Sequence, residues 1–87
     1  MPEIEGRITP ITKGYRIDFI GLKSPAPLVG TLKALSKLED GFHLEGIYPQ
    51  YPIHLFPALR EEGWLWEVIK TEGEITHLKI FKEGTNS

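Results

Sequence analysis

The sequence has no cysteine, one methionine, one asparagine and one glutamine. The missing thiols exclude a disulfide framework, a thiolate metal site and a cysteine nucleophile. No apolar run approaches the roughly 20 residues needed to span a bilayer. The opening Met1-Pro2-Glu3-Ile4-Glu5 has neither the basic start nor the apolar run of a signal peptide. The expectation is a cytoplasmic protein that does not associate with membranes. Catalytic signatures are equally scarce. There is no G-x-S-x-G elbow and no glycine-rich phosphate loop. Ser24, Ser36 and Ser87 have no partnering histidine nearby in sequence. His43, His54 and His77 fall one per segment, at spacings that fit no two-histidine metal motif. His43 and Glu45 share a strand face and have the makings of half a metal or acid–base site, a surface ion pair being the plainer reading. These absences point to a non-catalytic protein without a cofactor.

What is present is compact and charged. The 87 residues make one domain with one core. Glu, Lys and Ile are abundant, at 10, 7 and 10 residues. With so few thermolabile side chains, that is the composition of a thermophile, where ion-pair networks supplement a small core. The net charge of −2 hides an asymmetry: residues 1–38 sum to +3 and residues 39–87 to −5. A basic face on such a molecule would suit nucleic acid or an acidic protein surface.

Three segments share one plan, an extended run, a turn ending in glycine and a second extended run. They cover 3–22 around Thr12-Lys13-Gly14, 29–48 around Glu39-Asp40-Gly41, and 64–82 around Thr71-Glu72-Gly73. Alternation supports strands: Tyr15, Ile17 and Phe19 interleave with Arg16 and Asp18, and Phe42, Leu44 and Tyr48 with His43 and Glu45. The phase shift after Phe19 marks a bulge or bend. In 25–38 two readings compete. Ser24-Pro25 can open a helix, with Leu28, Leu32 and Leu35 at i, i+4 and i+7. Gly30, Thr31 and Pro27 speak for a strand leading into Asp40-Gly41, and the strand is preferred. Pro57 starts a two-turn helix that ends at Gly63. The expected fold is therefore all-β: a small six-stranded barrel of the SH3 or OB kind, built from three hairpins, with one short helix between strands 4 and 5. It occupies residues 1–82, with 83–87 as a flexible tail.

Two binding surfaces follow. Small barrels bind single-stranded nucleic acid by stacking bases on aromatics beside Lys and Arg. Lys13, Arg16, Lys23, Lys33 and Lys37 are the phosphate candidates, and Tyr15, Phe42, Tyr48, Tyr51 and Trp64 the candidates for stacking. Single-stranded nucleic acid, or a protein that processes it, is thus the first expected partner. The second surface is the irregular 48–57, where Tyr48, Gln50, Tyr51, His54 and Phe56 sit in a proline-stiffened frame suited to docking on a larger protein as adaptor or inhibitor. Gln50-x-x-Ile53-x-x-Phe56 resembles the first part of the sliding-clamp-binding peptide pattern, with Pro57 in place of its second aromatic. The sequence leaves the oligomeric state open, a homodimer included.

Overall fold

The computed structural model describes residues 6–82. Its elements run β1 (Arg7–Ile11), β2 (Gly14–Asp18), α1 (Ala26–Ser36), β3 (His43–Tyr48), α2 (Leu55–Glu61), β4 (Leu65–Glu72) and β5 (Ile75–Phe81). The strands form one sheet in the order β1-β2-β3-β5-β4. The first and third expected hairpins are present as β1-β2 and β4-β5, both antiparallel. The expected tail at 83–87 lies outside the described residues, as do residues 1–5.

The six-stranded barrel is corrected to an open five-stranded sheet under two helices. Residues 26–36 are helical, which removes one strand and the middle hairpin. In its place β2 and β3 pair in parallel, a junction that needs a crossover, and α1 is that crossover. Closure would require β1 to meet β4, but these lie at opposite edges. The helix prevails over the strand reading because Ala26, Leu28, Leu32, Lys33, Ala34 and Leu35 are good helix formers, and Pro27 falls in the first turn, where a missing N–H costs little. Gly30 and Thr31, which argued against a helix, are both buried residues of α1. Thr31 is retained for a polar contact with the sheet rather than for its propensity.

The phase shift after Phe19 is a bend. The Phe19 N–H still pairs with the Ile47 carbonyl at 2.9 Å, after which the chain turns off the sheet. The bulge lies elsewhere, in β4 between Val68 and Lys70. In the first hairpin the positive φ belongs to Lys13, at 57°, and not to Gly14. Gly14 is required for another reason: a Cβ there would run into the carbonyl of His43 on the parallel neighbour.

Both crossovers, β2-α1-β3 and β3-α2-β4, step in the same direction along the sheet. The handedness rule for parallel crossovers then places both helices on one face. The core agrees, joining Leu35 of α1 and Leu55 and Leu59 of α2 to Ile17, Phe19, Leu44, Tyr48, Leu78 and Ile80 of the sheet.

Among the described residues the opposite face carries no helix. The registers line up Thr9, Arg16, Glu45, Lys79 and Glu67 across all five strands, the last four in a row of alternating charge. Arg16 Nε lies 3.0 Å from Glu45 Oε1, and Arg7 lies 2.9 Å from Asp18. The Asp18 carboxyl is held below the usual range first by the Ile20 backbone N–H, which it accepts at 2.8 Å, and then by Arg7. Among the described residues no helix is long and apolar enough to cross a membrane.

Candidate functional site: a groove at the ends of the parallel strands

The chain leaving β2 and the chain leaving β3 part at the same end of the sheet, and a groove of about 510 Å³ opens between them. One wall is Leu22, Lys23, Ser24 and the first turn of α1 at Pro27 and Leu28. The other is the run from Pro49 to His54. Tyr48 and Leu55, both buried, lie beneath, and Glu74 of the β4-β5 turn also lines it. Both walls are braced from within. Leu22 and Ala26 donate backbone hydrogen bonds to Phe19 and Lys23, while Ile53 and Leu55 donate to Tyr51 and Pro52. Pro49 and Pro52 restrict φ and offer no N–H, so this wall takes one irregular path and cannot extend β3. The Ser24-Pro25 peptide bond in the facing wall is cis.

The floor is tied to α1 by a buried hydrogen bond. The Tyr48 and Thr31 hydroxyl oxygens are 2.8 Å apart, and Thr31 spends its own hydrogen on the Pro27 carbonyl at 2.7 Å. A hydroxyl has one hydrogen to give, so Tyr48 is the donor to Thr31. Burial raises the Tyr48 pKa well above the ordinary tyrosine value, and a phenol that donates its hydrogen is held further in the neutral form. The ring of Tyr48 folds back over Gly46, where a Cβ would collide with it.

Tyr51 and Ile53 stand at the rim, 51% and 56% exposed. Tyr51 meets the edge of Phe56 at 5.5 Å between centroids, and Phe56 stacks on Trp66 at 4.9 Å with only 10° between planes. The Arg60 guanidinium also lies over the Trp66 ring, 5.7 Å from its centroid. An exposed aromatic thus rests on a partly buried stack, which restricts its freedom before any partner arrives.

The expected partner residues divide into two groups. Gln50, Tyr51 and His54 meet at the groove and are exposed. Tyr48 is core, at 1% exposure, and Phe56 is occupied between Tyr51 and Trp66. The expected nucleic-acid residues lie on separate surfaces. Lys13 is in the β1-β2 turn, Arg16 on the bare sheet face against Glu45, Lys23 at the groove, and Lys33 and Lys37 at the exposed side of α1 and its end. Tyr15 is half-buried against the core, its ring 6.2 Å from Phe42. Trp64 is half-buried beneath Lys82.

His43 and Glu45 do approach, at 3.8 Å, but the other Glu45 oxygen belongs to Arg16. Among the described residues no three His, Asp or Glu side chains are grouped to hold a metal. Sequence reasoning missed the wall at 22–28 and Glu74. The Ser24-Pro25 helix start was the available signal, because a crossover helix begins beside the end of the strand it follows. Comparison with protein-family models, with curated proteins and with solved structures found no match.

Proposed function

We propose that the protein is a non-catalytic binding module that docks a short extended segment of a partner protein in the groove between 22–28 and 48–55. The observation that carries this reading is the meeting of exposed Tyr51 and Ile53 with an apolar floor, in walls already fixed by backbone hydrogen bonds and prolines. Rigid aromatic anchors bind at a low entropic cost, and a preformed groove lowers it further. Lys23, Gln50, His54 and Glu74, all in the lining, supply polar recognition of both charge signs. The prolines at 25 and 27 have no N–H, so the start of α1 offers few backbone donors and recognition falls to side chains. A strand of nucleic acid would have to reach the turn, the bare face and the helix layer together to use the basic residues expected of it. The groove needs no such path.

Selection of peptides from a random library against the full chain tests the proposal. Selected peptides should perturb amide signals of 22–28 and 48–55, and should lose at least about tenfold in affinity to Tyr51→Ala, as expected of an aromatic hot spot. Peptides that map to another face, or that bind Tyr51→Ala as tightly, would refute it.

A further inference from the structure

The two edges of the sheet are unlike. β1 has five residues, including Pro10, which has no N–H to offer a neighbouring strand. β4 has eight residues, exposed at every position but Trp66. Leu65, Val68 and Ile69 are its apolar exposed side chains, at 39%, 38% and 49%. An edge strand turns alternate N–H and C=O groups outward, and a long apolar one is a template for another strand. We infer that β4 is a dimer interface, at which a second copy of this chain pairs antiparallel about a two-fold axis and continues the sheet.

The bulge sets the register. Leu65 and Glu67 pair with Phe81 and Lys79 and face the bare side, while Trp66 and Val68 pair with Ile80 and Leu78 and face the helices. The ladder then skips Ile69, and the parity of the strand reverses. Lys70 and Glu72 face the bare side opposite His77 and Ile75, and Thr71 faces the helices opposite Thr76. A two-fold axis normal to the sheet must bring like faces together. Centred on the bulge, it does so on both sides of it: Leu65 meets Glu72 of the other copy, Trp66 meets Thr71, and Glu67 meets Lys70.

Because the contact is isologous, the Glu67–Lys70 pair forms twice. The next face-matched register shortens the ladder and sets Glu67 against Glu72. The charge pattern of β4 therefore complements a second β4 in one alignment and opposes it in the neighbouring one. That selects a copy of itself as the occupant rather than an arbitrary strand.

Sedimentation velocity of the full chain over a concentration series tests this, with circular dichroism verifying that each variant folds. The wild type should be a reversible dimer. Glu67→Lys and Lys70→Glu should each raise the dimer Kd by about tenfold or more, since two attractive cross-strand pairs become repulsive. The doubly swapped Glu67→Lys/Lys70→Glu should return to within about threefold of wild type, because the pairs are restored with their signs exchanged. A monomer throughout, single variants that associate like wild type, or a double variant as weak as the singles would each overturn the inference. If one single variant fails to fold, the other single and the double decide it.

Discussion

Tyr48 gives its hydroxyl hydrogen to Thr31 across 2.8 Å, and Thr31 passes its own to Pro27. The two ends of this relay are unequal. Tyr48→Phe removes a donor and leaves Thr31 bonded to Pro27, an expected loss of about 1 kcal/mol. Thr31→Val strands a buried phenolic hydrogen, and should cost about 2 kcal/mol or more. Urea unfolding of both variants measures the difference. Equal losses, or a larger loss in Tyr48→Phe, would contradict the direction of the relay.

The same burial makes Tyr48 an alkaline liability. Its folded pKa is raised above the ordinary 10.0, so the unfolded chain ionises first. Its contribution is whole below that ordinary value and declines as pH rises through 10.0 toward the raised one. Tyr48→Phe should therefore be less stable than wild type at neutral pH, yet lose stability less steeply above about pH 10. Urea midpoints measured from pH 8 to 11.5 give the comparison, and parallel slopes would count against it.

Asp18 acts at the other extreme. The Ile20 N–H and Arg7 hold its folded pKa below 3.8. Its contribution is present above that value and is lost as pH falls through the lowered one. Asp18→Asn should flatten the stability profile below about pH 4, with little effect at pH 7 beyond the loss of an exposed ion pair. Thermal melts across pH 2 to 5 provide the test.

Gly46 has no room for a methyl group because the ring of Tyr48 lies over it. Gly46→Ala must displace that ring from the core, at an expected cost of about 1–3 kcal/mol from overpacking. At exposed Gly41 a Cβ would meet nothing within 4 Å, but φ is +84°, so Gly41→Ala reports backbone strain alone. That strain is about 1 kcal/mol. A larger loss at 46 than at 41 is the expected order.

Tyr51 and Phe56 should separate binding from folding. Phe56→Ala opens the stack on Trp66 and should cost about 2 kcal/mol in stability. Tyr51→Ala, half in solvent, should cost under about 1 kcal/mol. The loss of groove binding should instead follow Tyr51. If Tyr51→Ala proves as destabilising as Phe56→Ala, Tyr51 is packing and the groove loses its anchor.

Local pattern was enough for the two antiparallel hairpins. Their alternation, as at Tyr15, Ile17 and Phe19, and their turn residues lie within a few positions of each other. The middle of the chain was misread for a definite reason. Gly30 and Thr31 are poor helix residues by propensity, but Thr31 is fixed by a tyrosine seventeen residues away. No short window contains that partner. The groove was half legible: prolines and exposed aromatics marked 48–57, but its opposite wall exists only because α1 brings β3 back beside β2. The bulge at Ile69 left no mark either, because Val68-Ile69 reads as an ordinary apolar pair until the register with β5 is counted.

The position of β5 has a consequence for how the molecule is made. It lies between β3 and β4, so β4 has no partner until residues 75–81 exist. As the chain leaves the ribosome, β1, β2, α1 and β3 can assemble on one another in order. α2 and β4 emerge next, with the Trp64-Leu65-Trp66 run bare and nothing to hold it in register. The final strand then joins two pieces already present. A stop or a proteolytic nick before residue 75 would not simply shorten this protein. It would turn β3 into a new open edge and leave β4 unpaired, a form open to aggregation.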